Sequence, residues 1–197
     1  VLLGPDGVPR RLAQLDENCT VSILNRTGNV SPNGAFAISN IPVELGFFRV
    51  RATCDRNGVT VRGQSNFVTF APNTMTIIEP LMLGMTDSIP SSINIRTSKS
   101  ILNAENDIVQ LTAIATLPDT SIRDVSLQSA GTFWSSSNPN IASVSIDGLV
   151  TAHRRGRAII QARNEGVMAG IAIDVLIPND TDGDGMGNVC DSDDDGD

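Results

Sequence analysis

The sequence predicts an all-β protein, with two β-sandwich domains in tandem followed by a C-terminal segment of ion-binding loops. Three observations predict it. Apolar residues alternate with period two, as in Val109, Leu111, Ala113, Ala115 and Leu117, or Ile171, Ile173, Val175 and Ile177. Gly, Pro, Asn and Asp interrupt these runs at Pro32-Asn33-Gly34, Arg56-Asn57-Gly58 and Ile146-Asp147-Gly148. No stretch combines a helical period with helix caps.

Composition sets the materials. In 197 residues, 40% are hydrophobic but only 4% aromatic, with no Tyr and one Trp, so Val, Ile, Leu and Ala must fill the cores. The net charge of -8 is concentrated at one end. Asp180, Asp182, Asp184, Asp191, Asp193, Asp194, Asp195 and Asp197 are eight acids without a base among them. Taking them from the 22 acids leaves 14, which equals the 14 bases, so the body is neutral and the tail carries the excess. A neutral body with an acidic tail is a poor match for phosphate, whose contacts need clustered Lys and Arg, so no nucleic-acid partner is expected. No apolar run approaches the roughly 18–20 residues of a membrane span. Val1 in place of Met, with no signal-peptide pattern, leads to the expectation of a processed, mature chain.

The first domain is placed at 1–86. Cys19, Val21 and Ile23 share one strand face, and Phe48, Val50, Ala52 and Cys54 another. Cys19 and Cys54 are therefore candidates for a core disulfide, with two buried thiols as the alternative. The run Pro32-Asn33-Gly34-Ala35-Phe36-Ala37-Ile38, then Asn40-Ile41-Pro42, then Gly46-Phe47-Phe48-Arg49-Val50-Arg51-Ala52, is similar to the carboxypeptidase-regulatory-like, transthyretin-type sandwich. That resemblance implies a structural appendage. Lys99 is the one lysine, so the first domain has no amine for an internal isopeptide bond. Pro80, Gly84, Pro90 and Ser91-Ser92 mark an edge strand and a linker.

The second domain is placed at 87–178. Val109-Gln110-Leu111-Thr112-Ala113, Trp134-Ser135-Ser136-Ser137-Asn138-Pro139, Ile141-Ala142-Ser143-Val144, Gly148-Leu149-Val150-Thr151-Ala152 and Gly156-Arg157-Ala158-Ile159-Ile160 follow in order. This resembles a group 2 bacterial immunoglobulin-like domain over about 90–177. The resemblance implies a small Ig-like sandwich of exported or surface proteins, used as a spacer, adhesive module or stacking unit, without catalysis. Trp134 fits a buried anchor between sheets, and a ligand-stacking platform is the alternative.

The tail, 179–197, has a sharper pattern. Asp180, Asp182, Asp184, Asn188 and Asp191 stand at positions 1, 3, 5, 9 and 12 of a 12-residue loop, with Gly185 at 6 and the Met186 carbonyl at 7. Hard cations take several oxygens at once, and alternate carboxylates on a glycine-permitted turn can converge on one centre, so Ca2+ is the expected cofactor. Asp191, Asp193, Asp195 and Asp197 begin a second loop, which reaches only its seventh position and would need ligands from elsewhere. Two carboxylates about 5 Å apart repel by roughly 3 kcal/mol at an effective dielectric near 20, so packing them requires cations. Calcium affinity on the order of 10⁻⁴–10⁻³ M is expected. The segment 180–197 resembles a thrombospondin type 3 calcium repeat, although the usual Cys-Pro partner of Cys190 is missing. A disordered acidic tail is the competing reading.

His153 is the single histidine and falls in a hairpin with Arg154, Arg155 and Arg157. A solvated loop is the default there. The sharper idea is that the arginines accept an acidic tail from a neighbouring molecule. No nucleophile elbow, zinc-binding helix, phosphate loop or dinucleotide fingerprint is present, so no enzyme is expected. The expected function is a non-enzymatic, calcium-binding structural protein, extracellular or on the cell surface, assembling with copies of itself into a filament, tube or lattice. The alternatives are an adhesin that binds glycan or protein, and a passive spacer of a larger surface protein.

Overall fold

The computed structural model describes residues 15–42, 46–79, 81–84 and 86–177, together with the backbone of Leu2–Leu3 and Pro9–Arg10. The chain is all-β, and it divides into two compact units, Val1–Ser88 and Ile89–Asp197. Each is described by itself.

In the first unit, β1 (Leu2–Leu3) pairs with β2 (Pro9–Arg10) as a short antiparallel ribbon. The main sheet contains β3 (Cys19–Ile23), β4 (Arg26–Asn29), β5 (Arg51–Arg56), β6 (Val59–Gln64) and β7 (Met82–Leu83) in the order β4-β3-β5-β6-β7. Asn57 and Gly58 turn β5 into β6, and both have positive φ (56° and 79°), which a two-residue hairpin turn demands. Alternation sends Cys19, Val21 and Ile23 inward from β3, and Val50, Ala52 and Cys54 inward from the second chain segment. The covering layer is irregular. Phe36, Ile38, Ile41, Phe70 and Ile78 pack on this core from extended segments tied by isolated bridges, Val30 to Phe36 and Phe48 to Val68. A Cβ on Gly28 would stand 2.9 Å from the Ala37 carbonyl oxygen, so glycine is what lets that layer lie against β4.

The second unit holds β8 (Ser92–Arg96), β9 (Ile101–Leu102), β10 (Ile108–Gln110), β11 (Thr112–Thr116), β12 (Ile122–Asp124), β13 (Thr132–Ser136), β14 (Ala142–Val144), β15 (Leu149–Ala152), β16 (Gly156–Asn164) and β17 (Val167–Val175). They form three sheets, β12-β11-β8, β10-β15-β14 and β13-β16-β17-β9. The layers enclose one core of small and branched side chains. Val109, Leu111, Ala113, Ala115 and Leu117 are all buried, as their alternation requires. Leu111 lies between β10 and β11, where the chain changes partners and the Leu111 amide donates to the Gly148 carbonyl at 2.9 Å.

Trp134 is core, not a ligand platform. It is only 6% exposed, and its indole N–H donates to the Ser126 carbonyl at 2.8 Å. Its ring lies against Gly148, where a Cβ would come within 2.9 Å of two ring carbons. Thr132 and Asn164 are the buried polar pair beside it. The Thr132 hydroxyl donates to the Val125 carbonyl, and the Asn164 amide donates to Ala130 and Thr132 oxygens.

Strand order also fixes where the chain comes in and goes out. β8 begins opposite Thr116, and the Ser91 amide bonds to the Thr116 carbonyl. β17 ends at Val175 opposite Gly156. The Asn106 amide bonds to the Ala152 carbonyl, close to Gly156, and the run from Asp107 through β10 and β11 to Thr116 joins the two places. At about 3.3 Å per residue, that run spans at most roughly 30 Å. The chain therefore comes into this unit at one end of the sandwich and leaves at the other.

Candidate functional site

The predicted calcium ligands Asp180, Asp182, Asp184, Met186, Asn188, Asp191, Asp193, Asp195 and Asp197 lie outside the described residues. What the structure describes is the platform from which they depart. β17 pairs with β9 in parallel, Asp174 with Ile101 and Val175 with Leu102. The Asp174 amide donates to the Ser100 carbonyl at 2.9 Å, and the Leu176 amide to the Leu102 carbonyl at 2.7 Å. Ile177 is buried in the core. The chain is thus anchored until three residues before Asp180.

Charged groups ring this end. Arg157 holds Asp174 across the β16–β17 pair through two bonds, Nε to Oδ1 at 2.6 Å and Nη2 to Oδ2 at 2.9 Å. The arginine's hydrogen bonds lower the Asp174 pKa, and the same contact raises that of Arg157. Lys99 pairs with Asp107 and lowers its pKa, and the Asn103 amide also donates to that carboxylate. Lys99 is thus an ion-pair partner on the surface.

Between β15 and β16 the hairpin 153–155 turns tightly. The amides of His153 and Arg154 both donate to the Ile141 carbonyl, at 2.8 and 3.3 Å. Gly156 follows with φ 146°, and a Cβ there would stand 2.8 Å from Ile141 Cδ1. Glycine and the Ile141 side chain together fix this turn, and Arg154 and Arg155 stand exposed on it. His153 Nε2 lies 2.7 Å from Ser143 Oγ. No local pattern signals this pairing, because ten residues separate the two and the β14–β15 register brings them together. Among the described residues no carboxylate orients the ring, so the pair lacks the third member that would activate a serine. It fastens the hairpin to β14.

Cys19 and Cys54 sit directly opposite each other on β3 and β5 and are joined by a disulfide. Beside them Arg56 bonds to Asp16, which closes the open side of this bridge. Among the described residues there is no group of three or more His, Cys, Asp or Glu that could hold a metal ion, and no helix is long and apolar enough to cross a membrane.

These features define a β protein with an immunoglobulin-like second unit. Residues 97–167 match the family of bacterial Ig-like domains (group 2). No curated protein matches the chain. Among solved structures, the chain is similar to a crystal structure of the S-layer protein rSbsC, with 11% identity and a TM-score of 0.38, covering 81% of this chain and 37% of that one. It is similar also to a structure of domains 1-6 of the surface layer protein SbsC, with 11% identity, a TM-score of 0.36 and the same coverage. The chain therefore spans little more than a third of the length of these structures.

Proposed function

We propose that the chain is a non-enzymatic structural protein of an extracellular surface, stiffened by calcium at its C-terminal segment and assembling with copies of itself. In this reading the first unit is a transthyretin-type structural module. Residues 180–197 form a thrombospondin type 3-like calcium segment, with Asp180, Asp182, Asp184, Asn188, Asp191 and the Met186 carbonyl as ligands of one ion. Asp191, Asp193, Asp195 and Asp197 contribute to a second. The observation that carries the reading is the course of the chain through the second unit: in at one end, out at the other, and straight from a buried anchor at Ile177 into the acidic run. A bound ion there would extend the fold along its length and present a charged, ion-filled end to a neighbouring molecule. The Ig-like match at 97–167 supports a spacer or stacking unit at a cell surface.

The test is light scattering with negative-stain microscopy, first in millimolar calcium and then with excess chelator. Ordered polymers that form with calcium and dissolve on chelation are expected. A monomer under both conditions would remove self-assembly and leave a passive spacer, which the same end-to-end course favours.

A further inference from the structure

The 153–155 hairpin is built at the end of the sandwich from which the acidic segment leaves. Gly156 pairs with Val175 in the antiparallel β16–β17 ladder. Arg155 and Arg154 are the two residues before Gly156, and Leu176 and Ile177 the two after Val175, so the arginines lie within two residues of the pair that ends this ladder. Both arginines are exposed, and among the described residues neither has an ion-pair partner. The other charges at this end are committed. Lys99 is paired with Asp107 and Arg157 with Asp174. Glu105 lies in the adjoining 103–107 loop with Oε2 buried. Two exposed arginines against the single Glu105 carboxylate leave this end locally positive.

We infer that Arg154 and Arg155 are a docking site for the chain's own acidic segment, 180–197, in calcium-poor solution, and that calcium releases it. Reach permits the docking. Asp180, Asp182 and Asp184 stand three, five and seven residues beyond Ile177, at most about 10, 18 and 25 Å of extended chain. Each exposed ion pair alone is weak. A tethered segment, however, meets the site at an effective concentration on the order of millimolar, and eight carboxylates share two guanidinium groups. The turn is fixed by Gly156 and Ile141, so the arginines' backbone is already ordered before the segment arrives. Calcium neutralises the same carboxylates and so removes the attraction. Only this release step rests on the calcium reading; the docking does not.

The full chain supplies the probe. Cys19 and Cys54 are bonded to each other, which leaves Cys190 to carry a nitroxide label. Amide relaxation enhancement from that label is then read by NMR in calcium-free buffer. Docking predicts enhancement at residues 154–156 at least about twofold above that in an Arg154→Ser/Arg155→Ser chain, since the tether alone contributes to both. It also predicts a fall to the variant's level between roughly 20 mM and 0.5 M NaCl, as the screening length drops from about 20 to about 4 Å. Equal enhancement in the two chains, or none lost to salt, overturns the docking. Calcium is then added with calorimetry in parallel. Heat of binding with enhancement falling to the variant's level supports release, and heat with enhancement unchanged overturns it. Absence of heat overturns release together with the calcium reading, while the salt and arginine comparisons still decide the docking.

Discussion

Replacing Gly148 with alanine tests the packing of the second unit at its centre. Gly148 has φ 83°, and its added Cβ would lie 2.9 Å from Cε2 and Cζ2 of Trp134 and 3.0 Å from the Leu111 carbonyl oxygen. Two costs add. An L residue in the left-handed region costs about 1–2 kcal/mol. Crowding costs about 1–3 kcal/mol more, because the indole cannot retreat without losing its bond to the Ser126 carbonyl. The expected loss is therefore about 3 kcal/mol, equivalent to roughly 10–25 °C in the Tm of a unit this size. Trp134 is the only tryptophan, so its fluorescence in a urea titration follows the second unit alone. Gly170→Ala is the control within the same unit: its Cβ would meet nothing closer than 3.5 Å and its φ is not positive. It should be neutral or stabilising by up to about 1 kcal/mol. Gly58→Ala, with φ 79° and open space around it, should cost only the backbone term and should leave the Trp134 transition in place. A Gly148→Ala chain that unfolds within about 0.5 kcal/mol of the unmodified one would refute the Trp134–Gly148 contact.

The Cys19–Cys54 bridge closes a separation of 35 residues, so Cys19→Ala/Cys54→Ala should destabilise the first unit by about 4 kcal/mol. Circular dichroism melting should show that loss, with the Trp134 fluorescence transition unmoved. The Arg157 contact depresses the Asp174 pKa, so the stability that this pair contributes is present above the carboxylate's unfolded value and is lost as pH falls through its lowered folded value. A carbon-13 carboxyl titration should show Asp174 titrating below the ordinary aspartate range, and Arg157→Gln should return it there; no upward movement in the variant would remove the pair as the cause. In the proposed calcium segment, Asp182→Asn/Asp184→Asn removes two charged ligands of one ion and should weaken calcium binding by at least about tenfold in a calorimetric titration. Unchanged affinity would place the ion elsewhere.

Much of the fold was legible because its signals are local. Period two is a property of the strand itself, so Val109 to Leu117 and Ile171 to Ile177 could be assigned to faces before any partner was known. Asn57-Gly58 announces its turn because only residues tolerant of positive φ fit there. Cys19 and Cys54 stand out for the same reason, each continuing an apolar face. What stayed hidden depends on pairing between distant segments. Nothing local to Leu111 says that the strand changes sheets there. The covering layer of the first unit is held by single bridges at Val30 and Phe48, too short to write an alternating pattern into the sequence. Ser143 reaches His153 only through the register of β14 on β15.

The outgoing end of the second unit divides along the same line. Its acidic run is legible residue by residue, since alternate aspartates with glycine at fixed offsets are a local pattern. The arginine hairpin was legible as a charge cluster able to take up a neighbouring molecule's acidic tail, but its place in this unit was not, because that follows from which strand lies beside β16. Once β17 is that strand, the pairing of Gly156 with Val175 brings the hairpin to the end where the last anchored residues leave the sheet. The arginine pair therefore stands at the end of the sandwich where the described chain leaves the core at Ile177, while the chain arrives at the other end. In the docking inferred above, any ion that binds the acidic segment competes with the arginines, and its affinity is then coupled to their charge.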